Sequence, residues 1–167
     1  MTNHTAQQFD AELEAVRTKI LKMGGQVEEM IKFALVGFSS ANTAQLKEVL
    51  EMEHRVNGFE LETDDLINHI IAKRQPAAYD LRFLVASLKM IRDLERIGDE
   101  AEKMARMAIR FYEAGPSSGP RMDFTVMSTH ITSMLHRALD SYAREDASVL
   151  DSIIHEDKIV DDQFRNS

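Results

Sequence analysis

The chain has no cysteine and no tryptophan, and its 167 residues include only three prolines, seven glycines and 7% aromatics. Without cysteine, disulfides, thiolate metal sites and cysteine nucleophiles are excluded. The scarcity of glycine, proline and aromatics favours long helices over a turn-rich β fold. No apolar run approaches the roughly 18–20 residues that a membrane span requires. The polar start, MTNHTAQQFD, lacks the apolar centre of a secretory signal, so a cytoplasmic protein is expected. Positive charge is also short: 20 Lys and Arg against 28 Asp and Glu leave a net charge of −8. That balance argues against general binding to nucleic acid or anionic membrane, which calls for basic faces. A Gly-rich phosphate loop is missing, and no nucleophile elbow supports a Ser–His–Asp triad.

What the sequence does contain is helical periodicity. Phe9, Leu13, Val16, Ile20, Met23, Val27, Met30 and Ala34 alternate steps of four and three, the seam of a bundle helix running from about Phe9 to Phe38. Gly24–Gly25 interrupts nothing and reads as a close-packing or bending point. Ser39–Asn42 ends this helix, and Asn42 with Gln45 forms a capping box for the next. Helix two spans Thr43–Arg74. Pro76 then punctuates the chain and, as a favoured first helical residue, starts helix three at once. Helix three runs to about Tyr112 along Leu81, Leu84, Leu88, Ile91, Ala101 and Ala105. AGPSSGP, Ala114–Pro120, is a linker, helix four covers Met122–Arg144, and helix five starts near Asp146.

A shift of 104 positions lays Met23, Val27, Met30, Leu35 and Phe38 on Met127, Ile131, Met134, Leu139 and Tyr142. The match continues with Leu46 on Leu150, Leu50 on Ile154 and Val56 on Val160. The expected fold is therefore all-α: an antiparallel three-helix bundle over 1–115, then two helices of a second, incomplete repeat over 121–167, joined by the linker 114–120. The apolar seams of helices four and five then lack a sixth helix, and an exposed stripe of that kind invites a homodimer or a swapped arrangement.

One turn of helix three looks costly. In DLERIGDE, Asp93–Glu100, the acids Glu95 and Asp99 stand four apart with Gly98 between them. If helices two and three form a hairpin about Pro76, residues whose numbers sum to about 152 lie level. Glu53 and Asn57 then face Asp99 and Glu95, with Glu60 one turn along. Such oxygen-bearing side chains raise each other's proton affinity or hold a hard cation, Mg²⁺, Mn²⁺, Ca²⁺ or iron, and Gly98 would leave room for it. Two plainer readings compete: acids four apart commonly form a solvated face, and Gly98 can mark a close helix crossing. The repeat weighs for the metal reading and leaves the two level, because Asp157 and Asp161 occupy the register of Glu53 and Asn57. Other candidates are weaker. Glu51–His54 is a single E-x-x-H with no second copy, as a carboxylate-bridged di-metal enzyme would need. His130, His136 and His155 are scattered. Lys73, Arg74 and Arg82 form a small basic cluster that reads as helix-end charge.

Gln75-Pro76-x-x-x-Asp80-Leu81-Arg82, Glu95-Arg96-Ile97-Gly98-Asp99 and Glu156-Asp157-x-x-x-Asp161 together strongly resemble the PhoU family of regulators of bacterial phosphate-specific transport. The resemblance runs from about Phe9 to the end. It implies two three-helix bundles, each with paired E/D-x-x-x-D motifs that bind metal. Glu53, Asn57, Glu95 and Asp99 would form one site, Asp157 and Asp161 half of another. Asn57 stands where the motif prefers aspartate. The resemblance further implies a non-enzymatic negative regulator of phosphate uptake and of the starvation response. It would act on the ATPase of the phosphate ABC transporter and on a sensor histidine kinase, at most peripherally to the membrane. A metal-independent helical scaffold is the alternative.

Overall fold

The computed structural model describes residues 2–114 and 124–165, with side chains described from 7 to 114 and from 124 to 162. The described chain is helical: α1 Thr2–Ser40, α2 Thr43–Arg74, α3 Ala78–Glu113, α4 Thr125–Arg144, a 3-10 turn Ala147–Val149, and α5 Leu150–Arg165. α1 begins seven residues before the expected Phe9, because nothing in Thr2–Gln8 is a glycine or proline that would stop it. α3 begins at Ala78 and not at Pro76. Gln75 closes α2 in the left-handed region (φ 50°), its N–H reaching Ile71 O at 3.1 Å, and Ala77 is extended. Pro76 is therefore the middle of a three-residue turn, where its missing N–H prevents α2 from continuing. Gly115–Pro120 of the expected linker and Met122, the expected start of helix four, lie outside the described residues.

α1, α2 and α3 pack against one another around Ile20, Met23, Met30, Leu46, Ile67 and Ile91, all fully buried. Each such side chain contributes roughly 1.5–3 kcal/mol on leaving water. On α3 the buried face turns small, with Ala101, Ala105 and Ala108, which lets the three backbones approach closely towards that end.

The internal repeat extends to the way its helices stop. At the end of α1, Ala41 N–H bonds Phe38 O (3.2 Å) and Asn42 N–H bonds Gly37 O (2.9 Å), with Ala41 at φ 54°. At the end of α4, shifted by 104 residues, Glu145 N–H bonds Tyr142 O (3.2 Å) and Asp146 N–H bonds Ser141 O (3.0 Å), with Glu145 at φ 55°. Both are Schellman terminations, which satisfy carbonyls that the helix leaves unpaired. The next element is then capped by the following side chain: Asn42 Oδ1 accepts from Gln45 N (3.2 Å), and Asp146 Oδ1 from Ser148 N (2.9 Å).

α4 lies along α1, and α5 packs on α4 and the 3-10 turn. The two repeats differ in what covers them. Leu46 is fully buried, whereas its counterpart Leu150 is 41% exposed, and Ile154 is 55% exposed where Leu50 is half-buried. In the first repeat α3 packs over α1 and α2 and covers these positions.

Candidate functional site

The turn between Arg74 and Ala78 sets the level of every residue on the α2–α3 hairpin. A Cβ built on Gly98 would lie 3.4 Å from Val56 Cγ1, so these two helices touch at the height the sum of about 152 requires. On α2, Glu53 is only 7% exposed although it is a carboxylate. Asn57, one turn on, donates its Nδ2 to Glu53 Oε1, and the exposed His54 places Nδ1 3.3 Å from Glu53 Oε2. On α3, Glu95 and Asp99 are half-buried. Burial pushes the Glu95 carboxyl above its usual range, and the charges of Asp99, Glu60 and Glu53 push it further. α2 and α3 thus bring Glu53, Glu60, Glu95 and Asp99 within electrostatic reach, with Asn57 bonded to the first of them. Nearby cations answer this charge only in part. Lys103 acts on Glu95 but is bonded to Glu100 (2.8 Å), and Arg106 is bonded to Glu102 (2.8 and 2.5 Å).

Gly98 plays a different part from the one its position between two acids implies. Its missing side chain points into the core, 3.4 Å from Val56 and 3.7 Å from the Met30 thioether. It opens no space between Glu95 and Asp99. What it permits is the close α2–α3 crossing that places the acids of one helix level with those of the other.

The chemistry of this donor set fits a hard divalent cation: carboxylate and amide oxygens, with repulsion that protons or a cation would relieve. Among the described residues, no three His, Asp or Glu side chains converge on one point as they stand. Closing a coordination shell here requires rotamer changes, beginning with release of Glu53 from Asn57.

The second acid pair is set out differently. Asp157 and Asp161 are exposed on α5, one turn apart. Glu156, beside them, is engaged: His130 Nδ1 lies 3.0 Å from Oε1 and the Arg137 guanidinium bonds Oε2. The His130 hydrogen bond is the main cause holding Glu156 below its usual range, with Arg137 adding to it. Glu51 is exposed like His54, and His136 faces Glu28 of α1 (3.2 Å). The basic cluster is helix-end charge in part, since Arg74 forks onto Glu12 (2.8 and 2.7 Å) and holds that carboxyl below its usual range.

A junction that sequence reasoning missed lies at the opposite end of α4. Arg17 of α1 donates to the last carbonyls of α4, Tyr142 O and Ala143 O (both 3.3 Å), and to Glu145 (2.5 Å). Its guanidinium sits over the rings of Phe83 (4.9 Å) and Tyr142 (5.7 Å), which stack at 5.9 Å. Tyr142 also bonds Ser87 through its hydroxyl (3.0 Å), and burial pushes that phenol up. One cation thus ties α1, α3 and α4 together. The hydrogen-bond partners of Arg17 are 125–128 residues away in sequence, so no local pattern announces them.

Comparison with known proteins follows the same outline. The PhoU domain matches residues 20–108, which include all of α2 and the part of α3 that carries the seam acids. The chain is 39% identical over its whole length to the phosphate-specific transport system accessory protein PhoU homolog of Pseudomonas aeruginosa, covering 69% of that protein. It is 37% identical to the Escherichia coli protein PhoU, with 98% of this chain and 68% of that one aligned. The crystal structure of PhoU from Pseudomonas aeruginosa superposes with a TM-score of 0.88 over 95% of this chain and 76% of that one, at 39% identity. By domain, by sequence and by backbone, this chain belongs to the PhoU family.

Proposed function

We propose that this chain is a non-enzymatic accessory protein of phosphate-specific transport. In this reading it restrains phosphate uptake and keeps the starvation response silent, by acting on the transporter's ATPase and on a sensor histidine kinase. The observation that carries the coarser role is its 37–39% identity to relatives named as phosphate-specific transport accessory proteins. The finer one is an extrapolation along the family. The test is genetic: deletion should leave alkaline phosphatase expressed in high phosphate, and unchanged repression would contradict the role.

We further infer that the α2–α3 seam holds a hard metal ion of the class of Mg²⁺, Mn²⁺, Ca²⁺ or iron. Glu53, Asn57, Glu95 and Asp99 would be its ligands, and Asp157 with Asp161 would provide half of a second site. When bound, the ion supplies the positive charge that the seam lacks. The support is the raised proton affinity of Glu95 among three other acids. A metal-free scaffold is the competing reading. Titration calorimetry with Mn²⁺ separates them: Glu95→Ala with Asp99→Ala should abolish heat that the unaltered protein shows.

The exposed Leu150 and Ile154, at positions whose first-repeat counterparts are buried or half-buried, support self-association through α5. Light scattering should find a homodimer, and Ile154→Asp with Leu150→Asp should return a monomer. A monomeric unaltered protein would refute it.

A further inference from the structure

Every ligand proposed for the seam supplies oxygen, yet one side chain at its edge offers nitrogen. His54 follows Glu53 on α2, and its Nδ1 lies 3.3 Å from Glu53 Oε2. The imidazole is 72% exposed where the Glu53 side chain is 10% exposed, so an ion arriving from solvent meets His54 first. The two oxygens of Glu53 have different company: Asn57 donates to Oε1, and the imidazole stands at Oε2.

His54 occupies the edge of α2 that overhangs α3. Lys47, seven residues earlier and so on the same side of the rod, reaches Glu113 of α3 (3.7 Å). The other edge of α2 faces α1, where Arg55 donates to Gln26 (3.2 Å) and Glu62 accepts from Lys19 (2.6 Å). The imidazole therefore flanks the seam acids and does not lie behind them.

The separation suits a shared ion. Two donor atoms about 2.1 Å from one octahedral ion, at right angles, stand about 3 Å apart. Nδ1 and Oε2 are already near that spacing. Neutral imidazole is a ligand for iron, nickel, copper and zinc, whereas Mg²⁺ and Ca²⁺ keep to oxygen. The internal repeat adds a contrast. The shift of 104 lays His54 on Lys158, so the pair Asp157 and Asp161 has an ammonium where the first pair has an imidazole. A protonated lysine has no lone pair to give.

We propose that His54 is a nitrogen ligand of the seam ion and makes that site select a first-row transition ion over Mg²⁺ and Ca²⁺. This rests on the metal-binding reading given above and narrows it. The acid that acts with His54 is then Glu53, at 3.3 Å, and not Glu51, with which it spells E-x-x-H in the sequence.

Titrating the full chain with Co²⁺ and, separately, with Mg²⁺ tests it, because Co²⁺ accepts imidazole and its paramagnetism marks the protons of its ligands. His54→Gln should weaken Co²⁺ binding at least about tenfold, the lower end of what removing groups that merely support metal ligands costs. Mg²⁺ binding should be unchanged. The proton NMR spectrum of the Co²⁺ form should contain a strongly shifted, exchangeable imidazole N–H signal, missing from His54→Gln. Equal Co²⁺ binding by the unaltered protein and His54→Gln, lost in Glu95→Ala with Asp99→Ala, would overturn the role of His54 and leave the seam reading standing. Binding of neither ion by the unaltered protein would overturn both. A shifted N–H signal that survives His54→Gln would assign the nitrogen to another histidine and overturn the proposal. So would Co²⁺ binding that needs His54 but persists in Glu95→Ala with Asp99→Ala, since the imidazole would then serve a site apart from the seam.

Discussion

Leu139 of α4 occupies the space that a side chain on Gly24 of α1 would fill: a Cβ there would lie 2.5 Å from its Cδ1 and 3.2 Å from its Cγ. The neighbouring Gly25 faces open space, with nothing within 4 Å of such a Cβ. Two adjacent glycines therefore have opposite meanings. Gly24 is one of the contacts through which the second repeat packs on the first, and Gly25 is only a weak point in the helix. Gly24→Ala should lower stability by about 1 kcal/mol or more, as the overpacking term of roughly 1–3 kcal/mol exceeds the gain in helix propensity. Gly25→Ala should raise it by roughly 0.5–1 kcal/mol. Urea unfolding of the two variants distinguishes them, and equal effects would contradict the packing.

Ala41 and Glu145 hold equivalent left-handed positions at the two Schellman terminations. Only Glu145 uses its side chain there, on Arg17 and Tyr79. Ala41→Gly should therefore stabilise the protein, by up to about 1 kcal/mol, because glycine accepts that conformation without the steric cost. Glu145→Gly should not, since it removes the Arg17 contact. Thermal unfolding reads both.

Arg17→Ala removes a cap, an ion pair and a stacked cation at once, and should cost roughly 1.5–3 kcal/mol. Arg17→Lys should restore little of it, since an ammonium cannot reproduce the planar stacking and forked donors. Hydrogen exchange locates the effect: amides near Ser141–Asp146 should lose protection before those of α2.

The Glu12–Arg74 fork gives stability a pH dependence. Glu12 is held below its usual pKa by hydrogen bonding to Arg74, so its contribution is fully present above the ordinary glutamate range. It disappears as pH falls through the lowered value. Glu12→Gln should flatten that part of the acid limb of a stability–pH profile, and an unchanged limb would show that the fork contributes nothing.

Much of this architecture is legible in spacing alone. The limits of α2, the seam from Val16 to Ala34 and the level relation between α2 and α3 follow from local rules, because a tight turn leaves a hairpin one register. Gly98 shows where such reading stops. Sequence order places it between two acids, but on a helix the intervening residue points elsewhere, here to Val56 and Met30. Arg17 was hidden for a different reason: an isolated arginine on an amphipathic helix looks like surface until a distant helix end arrives beside it.

On the function proposed above, acids of α2 and α3 repel one another in a seam that a hard cation would relieve. Glu95 binds its proton more tightly in the folded chain than is usual for glutamate, so its ionised form opposes folding at neutral pH, and this penalty fades as pH falls. The most direct measurement is the melting temperature of unaltered protein and Glu95→Gln, each with and without Mn²⁺. Without metal, Glu95→Gln should melt higher, by about 1 °C or more, because burial and the charges of Asp99, Glu60 and Glu53 all disfavour the ionised carboxyl. With Mn²⁺ at about a hundred times its dissociation constant, the unaltered protein should gain roughly 5–10 °C and Glu95→Gln far less. A variant that melts lower without metal, or gains as much with it, would contradict the account.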